Sequence, residues 1–558
     1  MGRDAFHCVP LVVRNSRDAV ECIPTILGAA LSRWAVSVKS NQTLSPTLSV
    51  PEREREVRFP GLAQLLTEDQ VQRVHEASLE ILENVGLEVH NAKAAALFKK
   101  HGCKAHDDSR RVTIPPAIVA ECLQSVPAKF TFHARNPEFD RTIPDHAPLT
   151  MTASSAPNII DPVTREQRLA TSKDLARVAR LINQLPGIDL FSVPTLAADA
   201  PAGQYSLTRF YTALKHCQKP VRGSGDPGDD SASILALAYE IAGSEAAYKA
   251  HPFITHHSCP VIAPLKMDAN STELMMFYTE RGLPNHPTVV PNAGLTSPLT
   301  LVGTLAQANA EFLACVALTQ MVRAGTPTIY STLSTVADMR TGAYAPGGIE
   351  CGMLNMAHAQ MARFYRLPSA GYIGLTNSKI ADAQAGYEKA LSCMGGLLAG
   401  MHVLQFAGLI DALLAFDFGM AVIDNEISLM LKRVARGLEF SEAGLALDEI
   451  GRTAPSGMFI DTDLTLERMR TTALMPDIAD RQSRLAWLQK GGCDANSRAL
   501  LRAKEILETG CPSLFSVEVE ARIRRRFQGL VAGDFKMPEG WSLASHSSAD
   551  AKQKQNLT

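Results

Sequence analysis

The sequence predicts an α/β fold, a (β/α)8 TIM barrel with small helical N-terminal and C-terminal extensions. Three observations carry this. From Pro148 onward, short apolar runs ending in Gly, Pro, Ser or Asn alternate with longer stretches of helical periodicity. Eight runs begin at Leu149, Asp189, Lys219, Phe253, Pro287, Pro327, Pro368 and Val403, with successive starts 30 to 41 residues apart, the span of one strand, one helix and two loops. The runs are apolar on both faces, as parallel strands covered by helices require. An open doubly wound sheet is the alternative reading of the same alternation.

Taken in order, residues 1–58 read as a leader or as an over-long gene start, with no secretory or transit signal expected, because the longest apolar patch, Ile26 to Leu31, is too short and Asp4, Asp18 and Glu21 are acidic. Disorder is expected there. Residues 59–147 read as a mainly helical N-terminal domain. Its clearest helix, Thr67 to Val85, has a Thr cap, acidic residues in the first turn and an apolar face of Val71, Val74, Ile81, Leu82 and Val85. Helices follow over Ala92 to Lys100 and Pro116 to Ser125. The barrel occupies 148–435, and between its runs lie helical segments such as SKDLARVARLINQL and DDSASILALAYEIAG, each with Ser or Asp near its start. A helical C-terminal extension spans 436–535, and 536–558 is expected to be a disordered polar tail.

Composition excludes several classes. A net charge of -2 offers no basic track for nucleic acid. Eleven scattered cysteines without a CxxC give neither a disulfide framework nor a zinc finger, and point to reduced thiols in the cytoplasm. Ala390 to Ile410 lacks Asp, Glu, Lys and Arg and is long enough to span a bilayer. Its four glycines and its change from helix-like to strand-like character favour a buried helix followed by a strand, so no membrane association is expected.

In a barrel the chemistry sits at the C-terminal strand ends. Those ends supply Ser154 and Ser155, Thr195, Ser224 to Asp226, His256 to Cys259, Asn292 and Gly294, Ser331 and Thr332, Tyr372 to Lys379, and Gln405. His256, His257 and Cys259 are zinc-type donors. Strand alternation puts His257 and Cys259 on one face and His256 on the other, too few ligands for a closed site. Hydrogen bonding in a pocket is the preferred role, and no bound metal is expected. The GSG at Gly223 to Gly225 is followed by Asp226, Asp229 and Asp230, which suits a tight turn better than a phosphate cradle. Gly371 and Gly374 either let a ligand approach the backbone or shape a bend. Asp338, Arg340 and Tyr344 fall in a loop that either has the makings of a lid or simply carries an ordinary surface Asp–Arg pair. Gln307, Asn309 and Glu311 are polar residues in a long apolar helix, read as structural.

SSAPNIIDPVT (154–164), STLSTVADMRTGAYAPGG (331–348), AHAQMARFYRLPS (357–369) and GLTNSKIADAQAGYEK (374–389) resemble the trimethylamine methyltransferase family, over roughly Gly61 to Gln528. The resemblance implies a barrel methyltransferase that passes a methyl group from a methylated amine to the cobalt of a corrinoid (cobalamin) carried by a separate partner protein. The family's trimethylamine enzymes carry pyrrolysine just before a TDSK-like segment, which here places Leu375 before Thr376, Asn377, Ser378 and Lys379. This chain has no pyrrolysine. It is therefore more similar to family members that act on glycine betaine and other quaternary amines.

Such a cation has no N–H to donate, so aromatic faces suit it best. Tyr372 and Tyr344, then Tyr330, Tyr205 and Phe406, are the cage candidates. A substrate carboxylate would go to His256, His257 or Arg340. Leu375 and Thr376 join the substrate site through the resemblance. Alternatives are a metal-dependent hydrolase or lyase using His256, His257 and Cys259, and a non-catalytic protein that binds a methylated amine. A homo-oligomer is left open.

Overall fold

The computed structural model describes residues 63–106, 109–509 and 513–541. The expected leader, 1–58, lies outside the described residues, as does most of the expected tail.

All eight expected runs form strands: β1 (Leu149–Thr152), β2 (Phe191–Ser192), β3 (Val221–Gly223), β4 (Ile254–Ser258), β5 (Asn285–Val289), β6 (Tyr330–Thr332), β7 (Ser369–Gly371) and β8 (Val403–Ala407). They form one parallel sheet in the order β1-β8-β7-β6-β5-β4-β3-β2. A parallel bridge between Met151 and Leu190 joins β1 to the start of β2 and closes the barrel. Helices α1 (Ser172–Gln184), α2 (Tyr205–His216), α3 (Asp229–Ala242), α4 (Ala269–Glu280), α5 (Leu301–Val322), α6 (Ile349–Phe364), α7 (Ala383–Leu398) and α8 (Phe418–Ala435) follow the strands in turn. The doubly wound alternative is excluded by this closure.

Local chemistry explains the element starts. Thr171 caps α1 in a capping box with Asp174, and Asp382 and Asp417 cap α7 and α8. The uncharged stretch at 390–410 divides between the end of α7 and β8, followed by the two-residue strand Leu409–Ile410. Only α5, among the described helices, is long and apolar enough to cross a membrane, and 83% of its apolar window is buried inside the protein.

The N-terminal region contains the three expected helices, Glu68–Glu80 capped by Thr67 and continued by a π-helical turn, Ala92–Lys100 and Pro116–Ser125. It is less purely helical than expected. Leu87–Val89, Lys104–Ala105 and Arg111–Thr113 form a small sheet with Val261–Ile262 and Lys266–Met267, which belong to the loop after β4. Strands of two or three residues are too short to show a period of two. A second hairpin, Phe130–Phe132 with Arg141–Ile143, brings Phe130, Phe132 and Ile143 into one buried cluster with Leu149, Met151, Leu190, Ile329, Ala370 and Val403 at the strand starts. This hairpin closes the N-terminal end of the barrel.

The C-terminal extension divides. Leu438–Met475 belongs to a second compact unit and holds the short helices Glu442–Leu445, Leu447–Thr453 and Asp463–Arg468. From Pro476 the chain belongs to the barrel unit, where helix Ala495–Glu508 packs on α8. The expected tail boundary at 536 falls too early. The Lys536 carbonyl accepts a hydrogen bond from Arg177, and Trp541 is buried with its ring 5.7 Å from that of Phe418.

Candidate active site

Above the apolar floor, inward-facing side chains turn polar. The middle layer is Ser192, Arg222, His286 and Gln405, all essentially buried. Arg222 donates from Nε to His286 Nδ1 (3.2 Å) and from Nη1 to Ser192 Oγ (2.8 Å), with Ser154 Oγ at 3.5 Å and the Tyr372 hydroxyl at 3.4 Å. Because Nδ1 of His286 accepts, the neutral ring carries its proton on Nε2, which lies 3.3 Å from Gln405 Nε2. Burial and the Arg222 charge hold the His286 and His257 imidazoles well below their ordinary range, so both rings are neutral.

Over this layer lies a cavity of about 300 Å³ lined by Ser154, Ser155, Gly223, Ser224, His257, Cys259, Ser271, Thr288, Val290, Leu333 and Tyr372. Most of these follow or end β1, β3, β4, β5, β6 and β7, as the barrel rule requires. His257 Nε2 is 3.1 Å from Thr288 Oγ1, which is 2.9 Å from Ser331 Oγ. Cys259 Sγ lies 3.8 Å from the same Nε2, and burial pushes its thiol up to about 11, so it is protonated at neutral pH. Among the described residues, no Asp, Glu, Lys or Arg side chain lines this cavity. It can bind, orient and exclude water, but it places no carboxyl group for general acid or base work.

Of the ten sequence candidates, Tyr372 and His257 line the cavity. Tyr344 sits in the hairpin after β6, near enough to Tyr372 for the two phenols to interact. The others lie elsewhere. His256 faces outward, stacked on Tyr278 of α4 at 3.5 Å, so His256, His257 and Cys259 do not converge as metal ligands. Tyr330 also faces the helices, donating to Asn309 Oδ1 with its ring against Phe312. Phe406 falls where the β8–β1 register shifts, between inward-facing Gln405 and Ala407, and packs in a cluster with Leu397 of α7. Tyr205 begins α2 beside Arg209. Arg340 is exposed and paired with Asp338 at 2.8 Å. Leu375 is buried, and Thr376 donates to the Glu388 carboxylate at 2.6 Å. The glycines at the end of β7 and in the turn after it answer to packing: a Cβ on Gly371 would meet Asn355 and Met401, and one on Gly374 would meet Cys393 and Phe406.

Sequence reasoning named Ser154, Ser155 and Ser224 only as strand ends, and missed Arg222 and His286. The available signal for Arg222 was a charge inside the apolar run KPVRGSG at a position that alternation turns inward.

The family model for trimethylamine methyltransferase (MTTB) matches residues 38–527. The chain belongs to the trimethylamine methyltransferase family. Within this family it is 33% identical over 463 residues to a glycine betaine methyltransferase from Desulfitobacterium hafniense strain Y51, covering 82% of this chain and 95% of that one. It is 29% identical to the trimethylamine methyltransferase MttB of D. hafniense strain DSM 10664 / DCB-2, covering 82% and 92%. Among solved structures it is similar to the monomethylamine methyltransferase MtmB of Methanosarcina barkeri, with 12% identity, a TM-score of 0.46 and coverage of 83% and 93%.

Proposed function

We propose that this methyltransferase takes a methyl group from a quaternary methylated amine, glycine betaine or a close relative, and delivers it to a corrinoid carried by a separate protein in the cytoplasm. The observation that carries this reading is a compact cavity at the barrel mouth whose wall has hydroxyl, thiol and neutral imidazole groups but no carboxylate. A quaternary nitrogen leaves as a neutral amine, so cleavage of its C–N bond needs no proton from the protein. Family membership supports methyl transfer, and the absence of pyrrolysine and the glycine betaine relative support the quaternary amine.

The reduced corrinoid supplies the cobalt nucleophile when the partner is docked. The residues of this chain do the remaining work. Ser154, His257, Thr288 and Tyr372 hold the substrate in one orientation, and Val290 and Leu333 keep water from the reacting carbon. Tyr372 is the one Phe, Tyr or Trp among the described residues lining the cavity, and we assign its ring face to the cation. On the same end of the barrel, Leu295, Leu299 and Met339 in the loops after β5 and β6 are exposed. They suit a partner that covers the mouth.

The test supplies purified protein with a reduced corrinoid protein and a panel of quaternary and tertiary amines. A change in cobalt absorbance on adding glycine betaine is expected. No transfer from any amine with a competent partner, or binding without turnover, overturns the proposal.

A further inference from the structure

Among the described residues, Arg222 is a full positive charge with no carboxylate hydrogen-bonded to it. Its side chain is 1% exposed, and all its hydrogen-bond partners are neutral: Ser192, Ser154, Tyr372 and His286. Its Nη2 is buried without a hydrogen-bond partner among the described residues. Guanidinium groups do not deprotonate in proteins. A buried charge without an opposite charge is strongly disfavoured, so this arrangement makes sense if an anion arrives with the ligand.

The cavity supplies the place. Ser154 and Tyr372 both line it and both lie within hydrogen-bond reach of Arg222 Nη1. Ser154 Oγ also accepts from Ser192 Oγ at 2.9 Å. A hydroxyl that accepts from a cation on one side has its own proton available on the other. Along β3, Arg222 lies two residues before Ser224, hence deeper in the barrel than the cavity wall.

We infer that Arg222 is the counter-charge for a substrate carboxylate, received through the Ser154 and Tyr372 hydroxyls, so that the substrate is a zwitterion lying lengthwise with its methylammonium end toward the mouth. This rests on the amine-methyltransferase reading and sharpens its substrate class. The Arg222 guanidinium carbon is 5.8 Å from the centre of the Tyr372 ring, so a ligand carrying only positive charge is repelled from the depth of the cavity. The same residue thus selects for carboxylate-bearing quaternary amines and against those without one. The neutrality of His257 and His286 leaves Arg222 as the charge that does so.

The experiment is calorimetric titration of the full chain with glycine betaine, with tetramethylammonium, which lacks the carboxylate, and with 3,3-dimethylbutanoate, in which carbon replaces nitrogen. Glycine betaine is expected to bind roughly 10- to 100-fold more tightly than tetramethylammonium, the range of hydrogen bonds to charged groups. R222M is expected to lose this preference, and R222K to keep part of it. Equal or tighter binding of tetramethylammonium by the wild-type protein overturns the inference even if R222M fails to fold, and leaves methyl transfer from amines standing. A folded R222M that keeps the preference overturns it as well. Carboxylate-dependent binding of both glycine betaine and 3,3-dimethylbutanoate, with no methyl transferred, supports the role of Arg222 while the proposed function fails.

Discussion

Single residues at the barrel mouth work through hydrogen bonds and held protonation states. Tyr372 presents its hydroxyl to Ser154 at 3.2 Å and its ring to the cavity. Tyr372→Phe removes the hydroxyl and keeps the ring, so KM for the quaternary amine should rise about tenfold with kcat little changed, as expected for roughly 1.4 kcal/mol of uniform binding. Steady-state kinetics with saturating corrinoid protein checks this. Buried histidines elsewhere give a pH signature. Burial pushes His256 and His358 down to about 3, and His216 and His402 down to about 4. In the unfolded chain each takes up a proton near its ordinary pKa of about 6.5. Below that pH the unfolded state therefore binds more protons and stability falls. Glu311 and Asp424, raised by burial to about 7 and about 6, oppose this because they take up protons on the folded side first. Four imidazoles outweigh two carboxyls, so the urea midpoint should be lower at pH 5 than at pH 7. A profile that is flat or rises toward pH 5 refutes the neutral assignment.

Elements set which faces those residues occupy. On β4, strict alternation turns His257 inward and His256 onto Tyr278, and this was legible from spacing alone. On β8 it was not. The register shift between Gln405 and Ala407 depends on the pairing with β1, a strand more than 250 residues earlier in the chain. The direction of Tyr330 is settled by its neighbour Ser331, whose Oγ bonds inward to Thr288. The turn after β7 makes its own demand. Gly374 has φ +77, and a Cβ there would clash with Cys393 of α7. Gly374→Ala should cost about 2 to 4 kcal/mol, combining backbone strain with overpacking. Urea unfolding measures this, and glycine betaine affinity in the remaining folded protein should change little.

For the whole molecule, the barrel brings exposed apolar side chains from separate loops to one end. A Cβ on Gly294 would touch both Met339, from the loop after β6, and Leu299, from the loop after β5, so those two side chains are neighbours. Met339→Glu combined with Leu299→Glu should raise KM for the corrinoid protein at least about tenfold, consistent with the loss of about 1.5–3 kcal/mol per buried side chain. Glycine betaine affinity measured without the partner should be unchanged. An unaltered KM for the corrinoid protein would place its docking elsewhere.

By itself the sequence determined the eight strands, their order, the helices between them and the family, because periodicity, caps and extended motifs are local properties of the chain. It also pointed to the end of the barrel where the candidate cavity lies. Tertiary structure alone decided the composition of that site. Arg222 reads as an anomaly in an apolar run until Ser154, Ser192, His286 and Tyr372 converge on it from four other strands or strand ends. Phe406 and Tyr330 read as cage aromatics until strand register turns them toward the helices. The number of positive charges is written in the sequence, but whether a charge is buried without a counter-charge depends on what the fold brings within a few ångströms of it.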